Sequence, residues 1–387
     1  MKVLFLNYEY PPLGGGAAVA TEALMGEWAK QGASPLDTPV SVHLVTSSPD
    51  RGYHTELCHN PKVCVSALNV LKGGKGLHKQ GVFPIAIYTI RALISGFGLM
   101  RRERPDVILA FFTLPCGFVA LILSKLFGVP YVVSLRGADV PGFTEKFPLI
   151  TYFGKPFTRL IWRQAKAVVP NSSGLLELAR RTSPNLAATI IPNGVDTARF
   201  TPAASLATSP FTLLSLARLT RRKRIDLVIE SLALLSDNEK KNIRFLVAGD
   251  GEELEKLEAL AHNLGLENVV QFLGRVEHSQ TSELYRKASA LILVSENEGM
   301  SNNVLEGVAS GLPIIATHTG GMAELIQDGV NGVLVPVDTT AQALSDIIQK
   351  LMHDTETLRR MGSASRAEAL SRSWGSVAAQ FTHILQP

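Results

Sequence analysis

The sequence predicts an α/β chain of two doubly wound domains, each a parallel sheet covered by helices. Three observations predict it. At 387 residues the chain is too long for one ordinary domain. Short apolar runs alternate with amphipathic segments along the first half, break off at a polar stretch near residue 200, and then resume. With 46% hydrophobic and 19% charged residues the composition is that of a globular protein, which excludes disordered and fibrous classes. Each half is large enough to bury a core without metals or disulfides.

In the first half, Val3–Asn7 reads as a buried strand, and the apolar run it belongs to is too short for a signal peptide. A helix follows over Ala17–Gln31, then a two-proline surface extension at Ala33–Pro39 and a second strand at Val40–Thr46. Further strands are expected at Val63–Leu68, Val107–Phe111, Tyr131–Leu135 and Ala167–Pro170. Helices fill Phe83–Arg102, Gly117–Phe127, Ile150–Gln164 and Ser173–Arg181. Ile190-Ile191-Pro192-Asn193-Gly194-Val195-Asp196 reads as a strand closed by a turn, because Pro stops a ladder and Asn-Gly supplies positive φ. Phe200–Pro210 has neither period and is the expected linker. The domains are therefore 1–200 and 201–372, with 373–387 a terminal helix expected to cross back to the first domain.

The second half restarts with strands at Phe211–Ala217, Arg244–Ala248, Val269–Leu273, Ala290–Val294, Ile314–Ala316 and Gly332–Val335. Helices are expected at Ile225–Leu235, Glu252–Leu264, Thr281–Lys287, Asn303–Ser310 and Met322–Asp328, and three more at Thr340–Met352, Glu356–Leu370 and Trp374–Leu385.

The formal net charge of +4 is mild and does not point to nucleic acid. Its basic residues cluster at Arg101-Arg102-Glu103-Arg104, Arg180-Arg181 and Arg221-Arg222-Lys223-Arg224, runs that suit a solvated helix end, an anion site or an acidic membrane surface. Cys58, Cys64 and Cys116 are odd in number and lack metal-ligand spacing, so a reducing, cytoplasmic setting without a disulfide framework is expected. Gly81–Met100 is the nearest approach to a membrane span, but Pro84, Arg91, Gly96 and Gly98 interrupt it, which favours an interfacial or buried helix. Lys72, Lys75, His78 and Lys79 precede this helix and Arg101–Arg104 follow it. An anionic membrane surface is thus a candidate partner, alongside ordinary burial against the sheet.

Three segments carry chemistry. In Leu291-Ile292-Leu293-Val294-Ser295-Glu296-Asn297-Glu298-Gly299-Met300-Ser301-Asn302-Asn303-Val304-Leu305-Glu306 a strand ends in a polar loop and a helix opens near Ser301–Asn303. Ser and Asn cap well, and the free N–H groups of a first turn suit a phosphate. Glu298 and Glu306 flank this turn; either alone reads equally as a helix-dipole partner. Gly320-Gly321 opens the next helix in the same way and allows close backbone approach. In the second segment, Ala217-Arg218-Leu219-Thr220-Arg221-Arg222-Lys223, Arg218 and Lys223 lie five apart across a tight loop and are placed to grip one diphosphate, unless the loop is a solvated basic turn. The third, Gly14-Gly15-Gly16 after the first strand, precedes a helix but does not form G-x-G-x-x-G.

Taken together these segments resemble the group 1 (family 4) retaining glycosyltransferases, whose GT-B fold sets two Rossmann-like domains with parallel sheets around a central cleft. The resemblance rests on Glu298-(seven residues)-Glu306, Ile191-Pro192-Asn193-Gly194-Val195-Asp196 with Arg199-Phe200, Ala217-Arg218-Leu219 with Lys223, Val247-Ala248-Gly249-Asp250-Gly251, and Phe272-Leu273-Gly274. It implies that Arg218 and Lys223 hold the donor diphosphate, Glu298 contacts the transferred sugar and Glu306 binds the ribose. It implies further donor contacts at Gly299, Met300, Ser301, Asn302 and Asn303, a base contact at Gly274-Arg275-Val276, and close approach at Gly15 and Gly16. Many members carry a histidine after the strand that here ends in Leu135; this chain has Arg136, which takes that donor-side place, with Asp139 as an acceptor-side candidate.

The expected activity is transfer of a hexose-type sugar from a nucleotide-sugar donor to a carbohydrate or lipid-linked acceptor, with retention, in glycan biosynthesis. No Asp-x-Asp stands in the expected setting and two cations occupy the place of a metal, so neither metal nor cofactor is expected. Two other readings stand beside it: a sugar-nucleotide epimerase on the same architecture, and a non-catalytic nucleotide- or carbohydrate-binding subunit.

Overall fold

A computed structural model describes residues 1–386 apart from 12, 31–38, 49–53, 61, 71–81, 144–147 and 205–208. It divides into two compact units, Met1–Gly194 with Trp374–Pro387, and Val195–Ser373. The first unit runs β1 (Lys2–Leu6), α1 (Gly16–Lys30), β2 (Ser41–Ser48), β3 (His54–Asn60), β4 (Val63–Asn69), α2 (Val82–Arg102), β5 (Val107–Phe111), α3 (Phe118–Phe127), β6 (Tyr131–Leu135), α4 (Pro148–Gln164), β7 (Ala167–Pro170) and α5 (Ser173–Thr182). The second runs β8 (Phe211–Leu216), α6 (Ile225–Ala233), α7 (Asp237–Lys241), β9 (Ile243–Ala248), α8 (Leu254–Asn263), β10 (Val270–Gly274), α9 (His278–Lys287), β11 (Ala290–Leu293) and α10 (Asn302–Ala309). It ends with β12 (Ile314–Thr317), α11 (Met322–Leu325), β13 (Gly332–Val335), α12 (Ala341–His353) and α13 (Thr355–Leu370), after which α14 (Trp374–Leu385) belongs to the first unit.

The first sheet has the order β3-β4-β2-β1-β5-β6-β7 and the second β10-β9-β8-β11-β12-β13. Every residue of β5, β6 and β8 is buried, including the polar Ser134, Thr212 and Ser215, as strands of a parallel sheet covered on both faces require. In the first unit Tyr88, Val119, Leu123 and Trp162 pack on one face, and Leu24, Trp28, Val377 and Phe381 on the other. Trp28 and Phe381 are fully buried, and each such large side chain contributes roughly 1.5–3 kcal/mol by leaving water. The Trp28 indole N–H donates to Thr382 Oγ1 at 3.0 Å, which ties α14 to α1. In the second unit Val228, Ile229, Leu344 and Ile348 cover one face of the sheet, and Val304, Leu305, Val308 and Met322 the other.

Four expectations need correction. Strand β3 pairs antiparallel with β4, because the connection between them is too short for a parallel crossover. Its sequence, His-Thr-Glu-Leu-Cys-His-Asn, has no apolar run to reveal it. That pairing sets Cys64 opposite Cys58, and Cys64 is disulfide-bonded, against the expectation of a chain without disulfides; Cys116 is free and buried. The segment Ile190–Gly194 is not a strand: Thr189 and Ile191 donate to Val168 O and Pro170 O at 3.1 Å each, but Pro192 has no N–H to continue a ladder. Helix α11 stops at Leu325 instead of Asp328, because Asn331 takes the backbone N–H of Gln327 at 2.7 Å and donates to Leu325 O at 2.9 Å. Of the expected linker, residues 205–208 lie outside the described set, and Phe200 is 2% exposed within the core of the second unit.

Candidate active site

The strand order of the second sheet reverses between β8 and β11, since β9 and β10 lie on one side of that pair and β12 and β13 on the other. Outside the carboxyl ends of strands, such a switch point is where open parallel sheets bind ligands. The loops carrying Arg218, Lys223, Glu298 and Ser301 leave these two strands.

The loops are held together by backbone. Ala217 N donates to Ala248 O at 3.0 Å, Leu219 N to Asp250 O at 2.8 Å, and Gly249 N to Gly274 O at 2.8 Å, so the ends of β8, β9 and β10 are joined. Gly249 has φ +142°, and a Cβ there would lie 1.8 Å from Ala217 O. Across the switch, Glu296 N donates to Arg222 O at 2.9 Å and Arg222 Nη1 to Asn297 O at 2.8 Å. Gly321 N then donates to Gly299 O at 3.2 Å, and a Cβ on Gly320, at φ +48°, would fall 1.5 Å from Glu298 O. Glycine is the residue that lets the β12 loop press on the backbone of Glu298.

Lys223 sits in the 3₁₀ turn Arg221–Lys223 and its Nζ donates to Glu298 Oε1. Both residues are 9% exposed, an ion pair drawn into the loop cluster. Arg218 is exposed at the end of β8. Ser301 caps α10 by accepting from Val304 N at 3.4 Å, and Asn303 Nδ2 donates to Leu216 O at 2.6 Å, which moors the start of this helix to β8. Gly299 and Met300 are buried; Asn302 is half-buried.

Glu306, 5% exposed, lies one turn into α10. His278 Nε2 stands 2.9 Å from its Oε1, and the Tyr285 hydroxyl 3.0 Å from its Oε2. Burial and the neighbouring carboxylate hold the Tyr285 phenol well above its ordinary range, so it remains a neutral donor. Gly274 turns the chain at φ +64°, with Arg275 exposed and Val276 packed against the core.

In the first unit, Gly15 N donates to Glu9 Oε2 at 3.2 Å and Gly16 begins α1. The other two candidates face inward. Arg136 donates from Nη1 to Asn193 Oδ1 at 2.8 Å, and its guanidinium carbon lies 3.5 Å from the Phe111 ring centroid and 5.8 Å from that of Phe381. Burial pushes its pKa down to about 9. Asp139 receives Arg136 N and Gly137 N on Oδ1, and Thr113 N and Oγ1 on Oδ2, at 2.8–3.1 Å. Burial raises its carboxyl above the usual range against the pull of these donors. All four lone-pair directions are thereby taken, so Asp139 is a brace for its loop with none left for an acceptor hydroxyl.

His278 and Tyr285 as partners of Glu306, and Arg199 as a partner of His278, were not among the residues expected from the sequence. A signal was present: His278 and Tyr285 are seven apart, two turns of a helix, and so share one face.

Residues 198–368 match the model of the glycosyl transferases group 1 family, and residues 15–194 that of the glycosyl transferase 4-like domain. The chain belongs to the group 1 (family 4) glycosyltransferases. Among relatives, the glycosyltransferase is 24% identical over 369 residues to N-acetyl-alpha-D-glucosaminyl L-malate synthase of Bacillus anthracis, covering 92% of this chain and 89% of that one. Sucrose-phosphate synthase from Thermosynechococcus elongatus superposes with a TM-score of 0.83 at 20% identity, covering 99% and 98% of the two chains. HepE of Anabaena, solved with UDP and glucose, does so with 0.75 at 21% identity, covering 100% and 99%. At those identities the structural likeness establishes the GT-B fold.

Proposed function

We propose that this glycosyltransferase moves a hexose-type sugar from a nucleotide-sugar donor to a carbohydrate or lipid-linked acceptor, with retention of configuration and without a metal. One observation carries the reading: Lys223, Glu298 and the capped start of α10 meet at the switch point of the second sheet, with Arg218 exposed in the same loop as Lys223. HepE, with its UDP and glucose, supports a nucleotide-sugar donor.

Cleavage of the glycosyl–phosphate bond places negative charge on the departing diphosphate. Lys223 Nζ and the Arg218 guanidinium supply fixed positive charge there, and the N–H groups at the start of α10 add to it. Lys223 then exchanges its bond to Glu298 for one to phosphate, and Glu298 turns to the hydroxyls of the transferred sugar. Glu306 takes the ribose, and Gly274-Arg275-Val276 the base. The acceptor attacks on the face that the leaving group vacates, and its proton passes to the donor phosphate.

Melting-temperature shifts with UDP, GDP, ADP and their sugars identify the donor. Transfer that persists in EDTA, with a product of unchanged anomeric configuration by NMR, is the expected result. An inverted product or loss of activity in EDTA overturns the mechanism. Conversion of donor with acceptor omitted would mark an epimerase.

The acceptor side of the proposal includes an anionic bilayer. Phe83, Ile90 and Ile94 on α2 are 70%, 60% and 61% exposed, on a helix long and apolar enough to cross a membrane, and Arg101 and Arg102 stand exposed at its end. Lys72, Lys75, His78 and Lys79 lie outside the described residues. Flotation with phosphatidylglycerol vesicles, lost on Ile90→Ser/Ile94→Ser, tests it; equal flotation with neutral vesicles or self-association without lipid overturns it.

A further inference from the structure

We infer that His278 is a positioning residue that presents the Glu306 carboxylate to the ribose, with its tautomer set by Arg199. The inference rests on the reading of Glu306 as a nucleotide ligand. Arg199 Nη1 lies 3.1 Å from His278 Nδ1. A guanidinium only donates, so Nδ1 must accept and the ring proton of the neutral imidazole resides on Nε2. That Nε2–H faces Glu306 Oε1 at 2.9 Å and donates to it. Arg199 Nη2 also donates to the His278 carbonyl, which anchors the first residue of α9. The Phe200 ring completes the support, 5.9 Å from the His278 ring and 5.7 Å from that of Tyr285.

The opposite carboxylate oxygen is held by Tyr285, whose single proton is shared between Glu306 Oε2 and Asn303 O, both at 3.0 Å. One helix therefore fixes both oxygens and the plane of the carboxylate. With one donor on each oxygen, each keeps a second acceptor lone pair, the pattern that a vicinal diol matches. Tyr285 is fully buried, whereas the His278 side chain is 40% exposed, so His278 is the member that can be changed with least damage to the core.

The test measures binding of the tightest nucleoside diphosphate among UDP, GDP and ADP, and of its 2′-deoxy form, to wild type, His278→Ala, His278→Gln and Glu306→Ala. His278→Ala is expected to weaken the ribonucleotide about 10-fold, to narrow the ribo-over-deoxy preference, and to raise donor KM with kcat nearly unchanged. His278→Gln is expected to restore most of the loss, because its amide N–H reaches the place of Nε2. If His278→Ala binds like wild type while Glu306→Ala does not, the inference falls and the reading of Glu306 stands. If Ala and Gln behave alike, or the ribo-over-deoxy preference is unmoved, His278 only packs and the inference also falls. If Glu306→Ala binds like wild type, the site reading itself is wrong, and this inference with it.

Discussion

Replacing Lys223 by methionine separates what the Lys223–Glu298 pair does for folding from what it does for chemistry. Methionine keeps most of the aliphatic stem and removes the ammonium. The Glu298 carboxylate, whose side chain is only 11% exposed, then has no cation opposite it. Removing one member of a buried pair costs about 3–5 kcal/mol, chiefly because the remaining charge is stranded. In a unit of roughly 180 residues each kcal/mol moves Tm by about 2–4 °C, so a fall on the order of 10 °C is expected. The chemical loss is separate: a fixed donor aimed at developing negative charge is worth about 100- to 1,000-fold in kcat.

The double variant Lys223→Met/Glu298→Leu distinguishes the two effects. An apolar pair of similar volume is often as stable as the ion pair it replaces. Its Tm is therefore expected close to that of wild type, while turnover stays as low as in the single variant or lower. Calorimetry on the unliganded proteins and a coupled assay for released nucleoside diphosphate give both numbers. An unchanged Tm in Lys223→Met refutes the stranded-carboxylate argument, and normal turnover in that variant refutes the role of Lys223 at the diphosphate.

Two further predictions concern the frame of the second unit. Gly320→Ala forces a Cβ to 1.5 Å from Glu298 O, so a loss beyond about 3 kcal/mol in urea unfolding is expected, together with loss of nucleotide binding. Gly329→Ala, at φ +72° with open space around it, should cost only about 1–2 kcal/mol and spare binding. At Glu239, hydrogen bonds from Ser236 and then Gln349 outweigh burial and bring the carboxyl from 4.5 down to about 2. This stabilisation is complete above about pH 4.5 and lost as pH falls through 2, so Glu239→Gln should flatten the acid limb of stability between those values in urea titrations.

How far the sequence carried this reading depended on what each feature needs. The buried parallel strands were legible because a strand covered on both faces is a largely apolar run, unbroken in Val107–Phe111 and interrupted only by Thr212 and Ser215 in Phe211–Leu216. The grouping of candidate residues at the switch point was legible because Glu298, Ser301 and Glu306 are local to one loop and helix. The polar edge strand His54–Asn60 was hidden, since an edge strand need not be apolar. So was the Lys223–Glu298 bond, because its members lie 75 residues apart and only the sheet order makes them neighbours. Arg199 and His278, separated by 79 residues, were hidden for the same reason.

Arg136 shows why a residue type at a family position does not transfer its role. A histidine there would be small and neutral, whereas the guanidinium is long enough to turn under α14, stack on Phe111 and donate to Asn193. Its Nε and Nη2 are buried without a partner. The folded state therefore penalises the charge, and at pH 7, where Arg136 is protonated both folded and unfolded, that penalty is complete. Against that stand one charged hydrogen bond and a desolvated cation–π contact, each about 2 kcal/mol. Methionine retains the stem and offers a polarizable sulfur to the ring. With these terms nearly cancelling, Arg136→Met is expected to change stability by less than about 1 kcal/mol at pH 7, and Arg136→Ala, which also empties the space, to cost about 2–3 kcal/mol. Donor KM and kcat measured on the stable Met variant then decide the residue's place. Unchanged constants assign Arg136 to the frame of the first unit, whereas a 10-fold or greater fall in kcat/KM at unchanged Tm would return the guanidinium to the substrate.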